Sequence, residues 1–190
     1  PVGLQHHRRQ LAAGAVADER SLRAASYDDD TVPIMELLLD AGADANTVTA
    51  ADTDRPYPLI FGPCETLAAE MLRLLLDRGA QPQTPHGSAL AKVLANNNRN
   101  PKAKSACLEA LQAAGVTVPD TVPMAVHGSR LDLLRLQAQN DPGLLSRSYS
   151  EAEIYPPDLG VELPPVYAYV TPLRGVSLLH MAVEWADLAL

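Results

Sequence analysis

Leucine-rich blocks that each run towards a glycine recur along this chain, and this recurrence constrains the fold more than any other feature. The copies are residues 10–15, 35–46, 71–82, 107–115 and 131–136. Within them, leucines recur at i, i+3 and i+4, a spacing that gives a helix one wide apolar face. We expect the helices to end at a glycine in the left-handed conformation, as at Gly42, Gly79 and Gly115. The chain is therefore predicted to consist of repeated helical units.

The repeats predict a stacked architecture, because one such helix pair cannot bury its apolar face alone and its neighbours must pack against it. The composition favours helix over sheet, since leucine and alanine dominate and aromatic residues make up only 4% of the chain. Apolar residues make up 47%, which is enough for a core. A length of 190 residues fits one domain or a run of small repeats.

These units resemble those of the ankyrin-repeat family. The resemblance rests on the Leu-Leu-Leu-Asp-x-Gly-Ala blocks and on residues 177–182, Ser-Leu-Leu-His-Met-Ala, which match the family's Thr-Pro-Leu-His-x-Ala start of a first helix. Weaker versions of that start lie at 57–60 and 88–91. The resemblance implies an all-α ankyrin-repeat solenoid of stacked helix–turn–helix units, as a single domain over residues 1–190.

The chain departs from a regular array in several places. Residues 3–12 are predicted to be the second helix of an incomplete unit, and residues 187–190 the start of another. We therefore expect a fragment of a longer array. Gly62-Pro63 is predicted to interrupt the helix that should follow Leu59, and the asparagine-rich stretch before Pro101 to lengthen a loop.

Residues 146–174 fit no repeat and are predicted to form an inserted loop or hairpin. The segment holds five prolines and four tyrosines, and residues 165–170 have the alternation of a strand that pairs with 162–163. Insertions of this kind often bind partners, and tyrosine is a frequent hot-spot residue. The alternative is that the segment folds back over the neighbouring repeats, with Tyr167 and Val170 as plugs.

The net charge of −8 disfavours general binding to nucleic acid, whose backbone would repel such a surface. Residues 85–139 are locally basic, with six bases against three acids. This stretch either docks an acidic partner or forms the solvated face of a repeat. No apolar run is long enough to cross a membrane, so we expect no membrane partner.

No catalytic, metal or cofactor motif is present in the sequence, and we expect no enzyme activity. His180 matches the structural histidine of ankyrin units, and His127 is expected to make a turn contact. The acids of 28–30 are expected to favour the start of the next helix, with Thr31 as its cap, over calcium binding. Cys64 and Cys107 are expected to be small core residues.

The resemblance implies a protein that binds another protein through its inter-repeat turns and first helices. The predicted partner-binding residues are Asp52, Asp54, Arg55, Tyr57, His86, Asp120, Tyr149, Tyr155, Tyr167 and Tyr169. The alternative is a scaffold region attached to an enzymatic domain outside this chain. Self-association through open ends of the stack is a further option.

We expect the bacterial cytoplasm, with export as an effector as the alternative. Two cysteines suit a reducing compartment, and the excess of arginine over lysine is typical of a GC-rich bacterial coding sequence.

Overall fold

The computed structural model describes residues 18–50, 56–96, 98–162 and 173–185, and most of them are helical. The helices are α1 (Glu19–Ala25), α2 (Val32–Asp40), α3 (Phe61–Thr66), α4 (Ala69–Asp77), α5 (Ala89–Leu94), α6 (Pro101–Ala113), α7 (Val122–His127), α8 (Leu131–Asn140), α9 (Glu151–Ile154) and α10 (Leu178–Glu184). This confirms a mainly helical fold. The helices predicted over 3–12 and from 187 lie outside the described residues.

Two short hairpins add β-structure to the predicted all-α fold. The strands are β1 (Val48–Ala50), β2 (Pro56–Pro58), β3 (Gln83–Thr84) and β4 (Gly87–Ser88). β1 pairs antiparallel with β2, placing Thr49 opposite Tyr57, and β3 pairs in the same way with β4. Each hairpin joins one helix pair to the next. These two turns predicted between the units therefore begin and end in paired β-strands.

Consecutive helices form pairs: α1 with α2, α3 with α4, α5 with α6 and α7 with α8. Successive pairs pack side by side. The second helices of the first three pairs form a continuous row, in which α4 lies between α2 and α6. Among the first helices, α3 packs against α5 and α7 against α10. Met71, Leu72 and Leu75 of α4 are fully buried in this arrangement. Burying a leucine or methionine side chain contributes roughly 1.5–3 kcal/mol, so the leucine blocks supply much of the core.

The predicted glycine helix ends are confirmed for α2, α4 and α6. Gly42, Gly79 and Gly115 have φ values of +99°, +88° and +88°. After each glycine, the next backbone N–H donates to a carbonyl of the preceding helix, as Ala80 does to Leu75 at 2.9 Å. A residue with a Cβ is strained at such φ values, which is why glycine occupies these positions.

The predicted cap at Thr31 is wrong, because its hydroxyl donates to the carbonyls of Ala25 and Asp28 instead of capping α2. Its neighbour Asp29 has the capping role, but on a different unit. Asp29 Oδ1 accepts a hydrogen bond from the backbone N–H of Met71 in the first turn of α4, at 2.9 Å. This carboxylate satisfies a free amide at the helix start and so ties unit to unit.

Replacing Asp29 with alanine is expected to lower the free energy of unfolding by about 1 kcal/mol, the usual cost of losing an N-terminal helix cap. Urea denaturation followed by circular dichroism measures the change. Asp30→Ala is the matched control, because Asp30 is an exposed acid on the same turn. Equal losses in the two variants would show that Asp29 stabilises through charge alone and not through the bond to Met71.

Gly62 and Pro63 do not interrupt a helix; they lie inside α3, which begins at Phe61. The reason is steric. A Cβ at Gly62 would lie 2.2 Å from Oγ of Ser26, so the glycine lets α3 approach the end of α1 closely. Pro63 is tolerated because it occupies the first turn, where its missing N–H is not needed.

The inserted segment folds back over the first helices. A 3-10 turn at Pro142–Leu145 precedes it, and the segment itself contains α9 and a second 3-10 turn at Pro157–Leu159. A Cβ at Gly160 would lie 3.5 Å from Cβ of Ser88 and 3.8 Å from Cβ of Ala91 on α5. Residues 163–172, with most of the predicted strand pairing, lie outside the described residues. No described helix is long and apolar enough to cross a membrane.

Candidate functional site

Tyr57 on β2 is the centre of a group of aromatic and charged side chains. The guanidinium of Arg23 on α1 lies over the Tyr57 ring, 4.4 Å from its centroid. Arg23 Nε also donates to the hydroxyl of Tyr27 at 3.0 Å, and the Tyr27 ring centroid is 6.3 Å from that of Tyr57. A cation over an aromatic face is attracted by the ring quadrupole, so the three side chains fix one another's orientation.

The hydroxyl of Tyr57 connects this group to the next helices. It donates to Glu65 Oε2 on α3 at 2.8 Å, and Lys92 Nζ on α5 lies 3.7 Å from Glu65 Oε1. Burial, a hydrogen bond with Tyr27 and the negative charge of Glu65 raise the pKa of Tyr57 far above its ordinary value. Tyr57 is therefore a neutral hydrogen-bond donor at any physiological pH.

Phe61 extends the group to the second hairpin. Its ring meets Tyr57 edge-on at 6.0 Å, and Lys92 Nζ lies 5.2 Å from its centroid. A Cβ at Gly87 would lie 3.5 Å from Cζ of Phe61, so the turn that carries His86 packs beside this ring. We call these side chains the Tyr57 cluster: Arg23, Tyr27, Tyr57, Phe61, Glu65 and Lys92.

A cleft of about 260 Å³ lies between the two hairpins. It is lined mainly by apolar residues, among them Val48, Pro58 and Pro85, and Val48 is 41% exposed. Because side chains alternate along a strand, Val48 and Pro58 face away from Tyr57 and its partner Thr49. The first hairpin thus carries the Tyr57 cluster on one face and an apolar cleft on the other.

The other predicted site residues are distributed unevenly. His86 is exposed in the turn between β3 and β4, near Phe61. Asp120 is exposed in the loop before α7, where its carbonyl accepts from Gln137 Nε2 at 3.0 Å, and it is not part of the Tyr57 cluster. Five predicted residues lie outside the described ranges: Asp52, Asp54, Arg55, Tyr167 and Tyr169.

Tyr149 and Tyr155 are not on the surface, and we remove them from the candidate site. They are only 1% and 3% exposed. Tyr149 exchanges backbone hydrogen bonds of 2.9 Å with Val176 and Gly175, and Tyr155 packs its ring against His127. Burial of a large aromatic ring is favourable, and the described part of the segment folds back over the neighbouring helices, in agreement with the alternative interpretation. The residues predicted as its plugs lie outside the described ranges: Tyr167 and Val170.

His127 does not make the predicted turn contact. It is a core residue at the end of α7, 1% exposed, whose ring stacks on Trp185 at 4.2 Å between centroids. His180, in contrast, makes the hydroxyl contact expected of a structural histidine, through Nδ1 and Ser177 Oγ at 2.8 Å. Hydrophobic burial of an imidazole at the end of a helix leaves no local sequence signal.

Metal-binding side chains do not cluster in the part of the chain that the structure describes, and the environment of the two cysteines is defined by their burial. There, no three residues of the His, Cys, Asp and Glu types are placed to hold a metal ion. Cys64 and Cys107 are buried, as expected, and burial raises the pKa of the Cys107 thiol to about 12. A thiol in this environment is protonated and unreactive at neutral pH.

The basic stretch predicted over 85–139 does not form one cationic surface. Lys104 is buried, Lys92 pairs with Glu65, and Arg99 lies 3.3 Å from Glu184. Lys102 and Arg135 are exposed. These side chains therefore fit the solvent-exposed face of a repeat better than a binding site for an acidic partner.

Comparison with known proteins supplies no further assignment, since neither a protein-family model nor a curated protein matches the sequence.

Sequence reasoning missed most members of the Tyr57 cluster. Arg23 and Tyr27 are close in sequence, but Tyr27 lies in the turn after α1, so helical spacing alone did not predict their contact. Glu65 and Lys92 carried no local signal, since they come from different units and meet Tyr57 only through the packing of α3 and α5.

Proposed function

We propose that this chain is an ankyrin-type stack whose function is to bind another protein, without catalysis, through the hairpins and first helices of its first three described units. The observation that carries the proposal is the Tyr57 cluster, which joins α1, the first hairpin, α3 and α5. The side-by-side packing of successive helix pairs supports the stack, and the left-handed glycines after three of the second helices support the resemblance to ankyrin units.

The chemistry of the cluster suits protein recognition. Tyrosine and arginine are enriched among hot-spot residues, because both bury a large surface and still offer hydrogen bonds. Glu65 and Lys92 are each about one-third exposed, at 31% and 34%, so charged atoms remain available beside the rings. Their contacts hold the side chains in place before a partner arrives, which reduces the entropy lost on binding.

The adjacent cleft adds an apolar site of a size suited to one or two side chains. Its walls come from two different units, so a partner that filled it would touch both hairpins. We infer that the partner presents an apolar side chain to the cleft and polar groups to Glu65 and Lys92. The bacterial cytoplasm remains the proposed compartment.

Tyr57→Ala is expected to weaken partner binding roughly thirtyfold, the effect of losing a hot-spot residue worth about 2 kcal/mol. The partner is first captured on the immobilised chain and identified by mass spectrometry, and the dissociation constant is then measured with the purified partner by calorimetry. Tyr57→Phe should lose less, because it keeps the ring and removes only the bond to Glu65.

Arg135→Ala is the matched control, since Arg135 is exposed on α8, far along the chain from the cluster. All variants must first show the same helical circular dichroism and unfolding midpoint as the wild type. An unchanged dissociation constant for Tyr57→Ala alongside a weakened Arg135→Ala would place the interface on the second helices instead.

A further inference from the structure

Residues 147–161, which we call the cover segment, are attached to the first helices through His127. His127 Nε2 lies 2.8 Å from the carbonyl oxygen of Ile154, and Ile154 is fully buried. The ring of Tyr155 meets the His127 ring edge-on at 5.6 Å. One imidazole at the end of α7 therefore makes both a hydrogen bond and an aromatic contact with the cover segment.

The cover segment has short-range contacts of its own. Ser150 and Glu153 form a reciprocal capping box at the start of α9, and Arg147 pairs with Glu153 at 2.6 Å. These contacts lie within the segment, but a four-residue helix is marginal in water without packing, so α9 should fray once it separates from α7. The attachment of the cover segment depends on Tyr149, on Gly160 against α5, and on His127.

The tautomer of neutral His127 is fixed by the Ile154 carbonyl. A carbonyl oxygen can only accept, so Nε2 carries the proton and Nδ1 carries a lone pair. Nδ1 is buried and has no hydrogen-bond partner among the described residues. Protonating it would create a buried imidazolium whose second N–H has no acceptor, which is costly in a protein interior.

The groups around His127 do not compensate such a charge. Lys104 from α6 lies 4.9 Å from the Trp185 ring, on which His127 stacks, and its charge opposes a second cation. Burial first, and then Lys104, hold the pKa of His127 well below its usual range. Glu151, Glu184 and Tyr155 are the other titratable neighbours. Burial and the negative charges of Glu184 and Glu151 raise the pKa of Tyr155, and Glu184 is paired with Arg99.

We propose that the cover segment is an acid-released latch: neutral His127 holds it against the first helices, and protonation of His127 releases it and uncovers α5 and α7. The surface uncovered includes Ser88 and Ala91, beside which Gly160 lies. The latch operates within this chain, so it can be tested without any partner.

The size of the effect follows from proton linkage. When the released state restores His127 to the ordinary histidine pKa of about 6.5, the released state takes up a proton that the closed state resists. Lowering the pH from 7 to 5.5 should then raise the equilibrium constant for release about tenfold. Below the ordinary pKa, each further pH unit adds up to another factor of about ten until the closed state also titrates.

Hydrogen exchange resolved by NMR measures release directly. The amides of Ile154 and Tyr155 donate to Ser150 and Glu151 in α9, and those of Leu72 and Leu75 in α4 serve as the internal reference. After correction for the intrinsic pH dependence of exchange, protection of α9 should fall about tenfold from pH 7 to 5.5, while α4 stays protected. Acrylamide quenching of Trp185, the single tryptophan, should rise in parallel.

His127→Gln tests the role of the titration, because a glutamine amide can still donate to the Ile154 carbonyl but cannot be protonated. This variant should keep α9 protected equally at both pH values. His86→Gln is the control, an exposed histidine whose replacement should leave the wild-type response unchanged. Lys104→Met, which removes the neighbouring charge, should retain a response to acid.

Several results would overturn the latch. A wild-type α9 whose protection does not change with pH excludes it, and so does an acid response that persists in His127→Gln. Parallel loss of protection in α4 would show global unfolding and not release of a segment. Should His127→Gln fail to fold, the comparison of α9 with α4 in the wild-type chain still decides between these outcomes.

Discussion

Between pH 7 and 9 the titration of Lys104 should add about 2 kcal/mol to the free energy of unfolding, an unusual direction of change for an acidic protein above neutrality. The cause is Lys104, which is only 2% exposed. Its ammonium donates to the carbonyl of Leu94, the last residue of α5, at 3.0 Å and to that of Asn96, just beyond the helix, at 3.2 Å. Neither bond supplies a negative charge, so burial lowers the pKa of Lys104 from 10.5 to about 7.

The direction of this pH dependence follows from the number of protons bound in the folded and unfolded states. Between pH 7 and 9 the unfolded chain keeps the Lys104 proton, while the folded chain loses it, so the unfolded state binds more protons and stability rises with pH. The two thiols oppose this gain. Burial raises the pKa values of Cys64 and Cys107, so from about pH 8, near the ordinary thiol pKa of about 8.5, both ionise in the unfolded chain only and favour unfolding. The net rise of the wild-type chain from pH 7 to 9 should therefore be about 1 kcal/mol.

Lys104→Met should remove this rise, because it removes the titrating group and keeps an unbranched side chain of similar length. Lys102→Met is the matched control, an exposed lysine on the same helix, and should retain the full rise. Urea unfolding at pH 7, 8 and 9, followed by circular dichroism, gives the three free energies for each variant. An equal rise in wild type and Lys104→Met would assign the pH dependence to another group.

Asn96→Ala is expected to lower the free energy of unfolding by about 2–4 kcal/mol. Asn96 is 6% exposed, and its side-chain amide donates to the carbonyls of Cys64 at 3.0 Å and Glu65 at 2.7 Å. Those carbonyls belong to the last turn of α3, where no helical N–H is available to them. Leaving two buried acceptors without a donor costs about 1–3 kcal/mol for each group.

Two further variants distinguish the loss of the Asn96 hydrogen bonds to α3 from other effects of a substitution in this loop. Asn96→Asp keeps the acceptor oxygen that binds the Asn98 N–H but offers no donor to the α3 carbonyls, so it should lose at least as much as Asn96→Ala. Asn98→Ala, at an exposed position two residues on, should lose less than about 0.5 kcal/mol. A fully stable Asn96→Asp would mean that the α3 carbonyls need no donor from this loop.

Asp29 and Asn96 join one unit to another, and Lys104 joins the two helices of one unit. Asp29 caps the start of α4, Asn96 caps the end of α3, and Lys104 caps the end of α5. In each case the polar group satisfies a helix end that its own local sequence leaves open. Unlike apolar contacts, which tolerate small displacements, these bonds fix the register of one helix against the next.

The candidate site was only partly predictable. The resemblance pointed to the hairpin turns, and Tyr57 and His86 do lie there, on the two neighbouring hairpins. Tyr149 and Tyr155 were predicted from the same kind of argument, a tyrosine in a loop, yet both are buried. A loop tyrosine can turn either towards solvent or towards the core, and only the surfaces that surround it decide which is lower in free energy.

By itself the sequence determined the positions of α2, α4 and α6, their apolar faces and their glycine ends at Gly42, Gly79 and Gly115, because these depend on spacings of a few residues and on backbone sterics. Only the tertiary structure decided that His127 and Lys104 are buried, that Asp29 and Asn96 cap helices of other units, and that Arg23, Glu65 and Lys92 gather around Tyr57. The partners in each of these contacts come from different helices or units. Their energies depend on desolvation and on distances that exist only once the helices have packed.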